Sequence, residues 1–295
     1  MCDRYGGKCR RHADQGATMA LDALTTKHTF ENALAMAECC HLAYSSDAIV
    51  GGGIAAAVGG NRTLNEFKFI DIPATDTQGF MAGFEDAIVL CFRGTNHVGD
   101  WLHNAQVKLV PFQRLGRVHS GFRKAFESTR EEIEATLEQW AGQGRTLWIT
   151  GHSLGGALAL YTSAHLRFPV NRATRVPHPI AGLYTFGQPR VGTVEFCNIC
   201  EEDFGGRYFR YTNNQDIVTR VPPRELKYWH TGKDLYIDGS GAIHEDPAWW
   251  QRFLDLVAAG KQALRSLRDR NPEIRQIKDH AMENYVAALR QHARA

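Results

Sequence analysis

The stretch Thr146-Leu147-Trp148-Ile149-Thr150-Gly151-His152-Ser153-Leu154-Gly155-Gly156-Ala157-Leu158-Ala159 decides the fold. Its apolar beginning, 146–150, predicts a short buried strand, and the small residues from Leu154 onward predict a helix packed closely under a sheet. Between them lies Gly-x-Ser-x-Gly, in which the glycines leave room for a tight, strained turn with the serine exposed at its tip. The pattern therefore predicts a strand–turn–helix unit that presents the Ser153 hydroxyl.

A serine at such a turn is typical of nucleophilic catalysis. Its hydroxyl is a weak nucleophile until a base takes the proton and hydrogen-bond donors stabilise the resulting oxyanion. The flanking strand and helix favour this interpretation over a glycine-rich turn that happens to hold Ser153. His152 is adjacent, but its side chain should point away from Ser153 on such a turn, so we expect it to pack against or orient the turn.

Strand and helix patterns alternate on both sides of this unit. The expected strands are 66–70, 78–84, 87–92, 182–186, 207–211 and 235–237, and the expected helices are 30–44, 119–140, 154–166, 194–200, 247–268 and 279–292. Glu85-Asp86 should join two of the strands as a hairpin, and the run 87–92 is apolar on both faces, as in a central strand. The alternation predicts an α/β fold with a central, mostly parallel sheet flanked by helices.

Three further segments complete the expected organisation. The polar residues 1–28 show no clear period and are expected to be loosely ordered, and the Gly/Ala-rich segment 51–60 is expected to form a loop. Residues 240–278 are interpreted as a helical insertion. No internal repeat or interdomain linker is visible, so residues 1–295 are interpreted as a single domain.

Composition argues against several classes of protein. The net charge is +2 and there is no Lys/Arg-rich run, so nucleic acid is not an expected partner. No stretch reaches the roughly eighteen apolar residues of a membrane span, and the basic N-terminus lacks the apolar segment of a secretory signal. The seven cysteines are an odd number, which favours reduced thiols. These features favour a cytoplasmic location over non-classical secretion, and the oligomeric state is left open.

The pair Cys197 and Cys200 has the spacing of half a metal site or a redox motif. The second Cys-x-x-Cys of a metal site is missing, and a spacing of three places both thiols on one face of an expected helix. We therefore interpret them as structural thiols, because buried cysteine behaves as a small apolar residue. No metal and no other cofactor is expected.

The acid and the base that a serine nucleophile needs should follow it along the chain, in that order. The acid should lie just beyond the carboxyl end of a strand, and Asp216 fits because it follows the strand predicted at 207–212. Other candidates for the acid are Asp203, Asp234, Asp238 and Asp246. Spacing alone does not choose the base among His230, His244, His280 and His292.

Seven pieces of the sequence occur in the order found in one family. They are Asp76-Thr77-Gln78-Gly79-Phe80, Phe92-Arg93-Gly94-Thr95, Val118-His119-Ser120-Gly121-Phe122, Gly151-His152-Ser153-Leu154-Gly155-Gly156, Thr185-Phe186-Gly187-Gln188-Pro189-Arg190-Val191-Gly192, Asp216-Ile217-Val218 through Pro222-Pro223, and Asp279-His280 with Tyr285. With them the chain resembles the class 3 lipases, the fungal-lipase-like branch of the α/β hydrolases, from about residue 30 to 290. The resemblance implies the α/β-hydrolase fold.

The resemblance also assigns the catalytic roles that spacing leaves open. It implies that Asp216 is the orienting acid and that His280 is the base, whereas His230 matches a family histidine that is not catalytic. The backbone N–H groups of Thr95 and Leu154 would form the oxyanion hole. Arg93 is interpreted as a structural charge that anchors the turn before Thr95.

Two segments have competing interpretations. The resemblance implies a lid at 96–105, where Trp101 and Leu102 would face the substrate or an interface; a solvated turn anchored by Trp101 is an equal alternative. The segment 249–270 has apolar residues at helical spacing followed by basic residues. It is interpreted as a helix packed on the core with a solvated basic face, the alternative being an amphipathic element that lies on lipid.

The combined expectation is a serine carboxylic-ester hydrolase, a triacylglycerol lipase or esterase that works through a Ser153–His280–Asp216 triad and an acyl-enzyme. Its partner would be a lipid or a small ester, with a lipid–water interface as an expected site of action. A phospholipase or other acyl hydrolase on the same scaffold is the main alternative. A non-catalytic lipid-binding protein should lack a member of the triad, and none is missing.

Overall fold

An eight-stranded sheet organises the computed structural model, which describes residues 20–95, 108–141, 144–169, 178–246 and 278–293. The strands are β1 Glu66–Ile72, β2 Thr77–Gly83, β3 Ala87–Phe92, β4 Leu109–Pro111, β5 Arg117–His119, β6 Thr146–His152, β7 Ile180–Phe186, β8 Tyr208–Asn213, β9 Lys233–Ile237 and β10 Ile243–Glu245. The large sheet has the order β1-β2-β3-β6-β7-β8-β9-β10, and β4 pairs with β5 in a small separate sheet.

The centre of the large sheet is parallel and its margins are antiparallel. Strands β3, β6, β7, β8 and β9 run parallel to one another, whereas β1 and β2 at one margin and β10 at the other pair antiparallel with their neighbours. The predicted hairpin is present as β2 and β3, and every residue of β3 is buried. The predicted α/β fold with a mostly parallel central sheet is confirmed, and the carboxyl ends of β3, β6, β7 and β8 meet at one edge.

Six described helices cover both faces of this sheet. They are α1 Phe30–Leu42, α2 Asp47–Val58, α3 Ser120–Gln139, α4 Leu154–Arg167, α5 Val194–Phe204 and α6 Met282–His292. Buried residues of α1, α2 and α6 form one core with the sheet, and those of α3, α4 and α5 form the other. A sheet buried on both faces explains why the central strands are almost entirely apolar.

The expected loop at 51–60 is wrong, because most of this segment belongs to α2. Val50, Ile54 and Val58 lie four residues apart and are fully buried, so one helical face packs on the core. Gly53 allows α1 to come close, since a Cβ there would lie 3.2 Å from the Leu42 side chain. Burial and close packing outweigh the low helix propensity of three consecutive glycines.

Several other expectations concern the margins of the described chain. Cys197 and Cys200 lie in α5 as buried free thiols, as expected. Residues 1–19 and 247–277 lie outside the described residues, so the loosely ordered start and the single-domain count stay predictions. The beginning of the expected helical insertion, 240–278, contains strand β10, and the helical character of the rest stays a prediction. Within the described ranges no helix is long and apolar enough to cross a membrane.

Candidate active site

Ser153 occupies a strained turn between β6 and α4. Its φ is 57° and its ψ is −127°, values that a residue with a side chain adopts only when its surroundings enforce them. Two glycines provide the space: a Cβ on Gly151 would overlap the carbonyl oxygen of Gly155, and a Cβ on Gly155 would overlap the carbonyl oxygen of Phe92. The Gly-x-Ser-x-Gly spacing is thus a steric requirement of the turn, as predicted.

The turn that follows β3 packs against this serine. A Cβ on Gly94 would lie 2.8 Å from the Ser153 Cβ and 2.9 Å from the His152 carbonyl oxygen. The two segments that carry the predicted oxyanion donors, Thr95 and Leu154, are therefore neighbours. Leu154 is also the first residue of α4, so its N–H belongs to the electropositive end of a helix.

Asp216 lies in the loop after β8 and is completely buried. Its Oδ1 accepts a hydrogen bond from the Val218 N–H at 2.9 Å. Its Oδ2 accepts two more, from His280 Nδ1 at 2.8 Å and from the Tyr285 hydroxyl at 2.6 Å. Three donors around one carboxylate compensate for the loss of water around a buried charge.

His280 is the histidine that faces this carboxylate. Because Nδ1 must carry the proton to donate to Asp216, Nε2 is left with a lone pair. Nε2 is buried and has no hydrogen-bond partner among the described residues. The residue before it, Asp279, is tied to the end of β8, since its carbonyl oxygen accepts from Asn213 Nδ2 at 2.7 Å.

The position of His280 beside Ser153 follows from shared neighbours. The Ser153 N–H donates to the Phe186 carbonyl at 2.9 Å, and the next residue, Gly187, has a φ of 59°. A Cβ on Gly187 would lie 2.8 Å from the His280 ring and 2.9 Å from Asp216 Oδ2. Gly187 therefore leaves the space that the His280–Asp216 pair occupies.

The other candidate histidines have different partners. His230 Nε2 donates to the Thr219 carbonyl at 2.7 Å, His244 lies 2.8 Å from Asp238, and His292 ends α6. The alternative acids are also engaged elsewhere: Asp203 with Arg167, Asp234 with Arg210, Asp238 with His244, and Asp246 with backbone of β9. Only His280 is brought against Asp216 within the part of the chain that the structure describes.

The structure adds residues to which spacing assigned no role. The His152 ring stacks on the His280 ring with centroids 4.5 Å apart. Its nitrogens contact the Tyr44 hydroxyl at 2.7 Å and the His280 carbonyl oxygen at 2.8 Å. Tyr44 lies two residues beyond α1, and no local pattern in the sequence links it to the site.

Tyr285 was part of the Asp279-His280 pattern, but its contact with Asp216 becomes visible only in the fold. Burial raises the pKa of Tyr285 well above its usual range, and the adjacent Asp216 charge adds to the effect. The hydroxyl therefore stays protonated and can donate to the carboxylate. Its oxygen in turn accepts the Asn213 N–H at 3.1 Å.

Two parts of the expected site need separate mention. The expected lid, 96–105 with Trp101 and Leu102, lies outside the described residues, as does 249–270. Across the described ranges there is no cluster of three or more His, Cys, Asp or Glu side chains that could hold a metal ion. Arg93 is half-buried with its guanidinium 5.8 Å from the centre of the Tyr44 ring, in keeping with an anchoring role.

Comparison with known proteins points to one family. The family described as lipase (class 3) matches residues 89–226. A secreted mono- and diacylglycerol lipase from Fusarium solani is 34% identical over 166 residues, 54% of this chain and 46% of that protein. A lipase from Rhizomucor miehei is 32% identical over 157 residues, 52% of this chain and 42% of that protein.

The fold leads to the same group. The solved complex of Rhizomucor miehei lipase with its propeptide superposes with a TM-score of 0.60 at 26% identity, covering 72% of this chain and 70% of that one. The chain spans about half the length of the curated relatives it matches. Sequence match and fold agree on one group: residues 89–226 match the class 3 lipase family, and the fold resembles that of a solved fungal lipase.

Proposed function

We propose that this protein hydrolyses carboxylic esters, with acylglycerols as the substrate class, through Ser153, His280 and Asp216. The observation that supports the proposal most directly is the buried pair formed by His280 Nδ1 and Asp216 Oδ2 at 2.8 Å. This pair leaves a lone pair on His280 Nε2 beside a serine held in a strained turn. The arrangement has the parts of a nucleophile, a base and an orienting acid.

In the first half of the reaction, Ser153 Oγ attacks the ester carbonyl and His280 Nε2 accepts its proton. Asp216 keeps the imidazole in the tautomer with the proton on Nδ1 and stabilises the positive charge that forms. The proton then passes to the leaving alcohol, and an acyl-enzyme is left. In the second half, water attacks this ester and His280 again accepts and returns the proton.

We assign the stabilisation of the negative charge that forms on the carbonyl oxygen to the backbone N–H groups of Thr95 and Leu154. The support is the contact between the turn after β3 and the start of α4, where Gly94 and Gly155 allow close approach of the two segments. Two preorganised donors of this kind are worth several kcal/mol in the transition state. Trp101 and Leu102 are kept as candidate lid or substrate-contacting residues.

The experiment is labelling with a fluorophosphonate probe together with hydrolysis of a soluble nitrophenyl ester. We expect wild type to be labelled and active, and Ser153→Ala to be neither. Ser163→Ala is the matched control, because this buried serine only donates to the Ala159 carbonyl within α4. Full activity in pure, folded Ser153→Ala protein would contradict the proposal.

Substrate preference is measured on the active protein with acyl chains from two to eighteen carbons, with and without an emulsion. Relatives are described as mono- and diacylglycerol lipases or simply as lipase, so tri-, di- and monoacylglycerols are the first arms and phospholipid is the contrasting arm. Preference for phospholipid would replace the acylglycerol assignment by that of a phospholipase. The cytoplasmic location stays a prediction, and several relatives are described as secreted.

A further inference from the structure

Tyr44 and His152 connect two parts of the candidate site that are far apart in sequence. His152 Nε2 lies 2.8 Å from the carbonyl oxygen of His280, and Nδ1 lies 2.7 Å from the Tyr44 hydroxyl. The Tyr44 oxygen also packs against Gly94, the residue before Thr95, since a Cβ on Gly94 would lie 2.5 Å from it. Two hydrogen bonds and this close contact therefore connect the proposed oxyanion turn with the main chain of the proposed base.

Chemistry fixes which atom donates and which accepts in each of the two hydrogen bonds. A carbonyl oxygen can only accept, so His152 must carry its proton on Nε2 and donate to His280. A neutral imidazole then offers a lone pair at Nδ1, and the Tyr44 O–H must donate to it. Both nitrogens of His152 are therefore engaged, one as donor and one as acceptor.

Electrostatics keeps His152 in this neutral form. Burial holds the pKa of His152 well below its usual range, and the nearby His280 lowers it further. The tight fit adds a steric restraint, because a Cβ on Gly94 would lie 2.5 Å from the Tyr44 oxygen. The imidazole stacks on His280 with ring planes 29° apart, so it contacts both the ring and the backbone of that residue.

We propose that Tyr44 and His152 are positioning residues that hold the His280 main chain and the Gly94–Thr95 turn in register across Ser153. The proposal rests on the proposed ester hydrolysis. The base and the oxyanion donors must both lie within hydrogen-bond reach of the reacting groups, and they come from distant parts of the chain. The two hydrogen bonds and the contact with Gly94 link the segments that carry His280 and Thr95.

Three variants separate the hydrogen bonds from the stacking. Tyr44→Phe removes the hydroxyl and keeps the ring, whereas His152→Phe keeps a stacked ring and removes both nitrogens. His152→Gln keeps a donor and an acceptor at the end of the side chain, so it can still bridge Tyr44 and the His280 carbonyl. We expect kcat for a soluble nitrophenyl ester to fall about 10- to 100-fold in both phenylalanine variants, since small misplacements of reacting groups have effects of this size.

The expected pattern distinguishes positioning from general destabilisation. KM should change little in all variants, and His152→Gln should keep most of the wild-type kcat. The kcat of the double variant Tyr44→Phe/His152→Phe should fall no further than that of the worse single variant, because both substitutions interrupt the same connection. Tyr161→Phe is the matched control: its buried hydroxyl donates to the Val191 carbonyl at 2.6 Å, away from the site. It should lower the thermal midpoint comparably and leave kcat within about twofold.

The outcomes separate this inference from the proposed function. Wild-type protein that neither hydrolyses esters nor reacts with a fluorophosphonate contradicts the proposed function. With active wild type, kcat of Tyr44→Phe close to that of Tyr161→Phe overturns the positioning role. If Tyr44→Phe does not fold, the His152 pair decides, and equal losses in His152→Gln and His152→Phe overturn the role of the hydrogen bonds.

Discussion

The serine turn and the proposed acid–base pair, His280 and Asp216, are built in different ways. The turn is local: Gly151, Ser153 and Gly155 lie within five residues, and its shape depends on backbone atoms that leave no room for a Cβ. The pair is assembled over long distances, with Asp216 and His280 joined across 64 residues. One part is held by steric exclusion and the other by hydrogen bonds.

This difference teaches where each part is vulnerable. An added methyl group in the turn meets main chain that cannot move aside, so the damage should extend to folding. Losing a hydrogen bond around the pair removes one of several supports and leaves the backbone in place. Substitutions near the pair should therefore change catalysis more than stability, and substitutions in the turn should change both.

The largest expected effect comes from removing the charge of the pair. Asp216→Asn should lower kcat about 10⁴-fold, because the neutral amide no longer favours the His280 tautomer with the proton on Nδ1 or stabilises the imidazolium. The variant should still fold. Steady-state hydrolysis of a soluble ester measures the loss, and Asp238→Asn, in the loop that bonds Ser240 and His244, is the control. A loss below tenfold would remove Asp216 from the proposed role.

The turn is broken by Gly151→Ala. We expect the free energy of unfolding to fall by about 3 kcal/mol, at the upper end of typical overpacking costs, because the new Cβ would overlap the Gly155 carbonyl. Gly52→Ala is the control, since no atom lies within 4 Å of a Cβ there. It should stabilise α2 by about 0.5–1 kcal/mol. Urea unfolding measures both, and similar values for the two variants would contradict the steric account.

A smaller effect is expected in the pH dependence of the free energy of unfolding. The pKa of His152 lies well below its usual 6.5 when folded because of burial, so below pH 6.5 only the unfolded chain binds this proton. Its contribution to stability is complete above pH 6.5 and is lost as pH falls toward the folded pKa. At pH 5 this loss is up to about 2 kcal/mol for one such histidine. The groups facing His152 are Tyr44, His280 and Tyr285.

His152→Gln provides the measurement, because it removes the titrating group and keeps the hydrogen-bonding atoms. Unfolding free energies of wild type and variant, compared between pH 7 and pH 5, should diverge as the pH falls. His119, whose pKa burial lowers to about 4, contributes equally to both and cancels. Parallel curves would show that His152 is not a buried neutral group. Because His152 itself lies in the serine turn, between Gly151 and Ser153, the difference between the two curves reports on that turn.

The serine turn could be predicted from the sequence because its determinants are local. Small residues at 151 and 155 and an apolar strand before them describe the geometry within a dozen positions. The sheet was also accessible, since a strand buried on both faces, such as 87–92, has a distinctive apolar run. Segment 51–60 was mistaken for a loop because its helix depends on packing against α1, which no local pattern reports.

The proposed acid and base could be predicted only in part from the sequence. The position after a strand pointed to Asp216, but four histidines satisfied the chain order, and only resemblance favoured His280. What distinguishes His280 is its contact with Asp216 and Tyr285, which the fold creates. Tyr44 is the extreme case, because its partner His152 lies 108 residues away and nothing near Tyr44 suggests a site.

The placement of His280 two residues before α6 has a consequence for biosynthesis. During translation the strands of the central sheet and the serine turn emerge well before residues 278–293, so a nascent chain would hold the proposed nucleophile before the proposed base. Helix α6 must then dock on α1, where Arg290 pairs with Glu38 and Phe30 lies against His292. If the proposed function holds, ester hydrolysis begins only after this docking, when the sheet can already have folded.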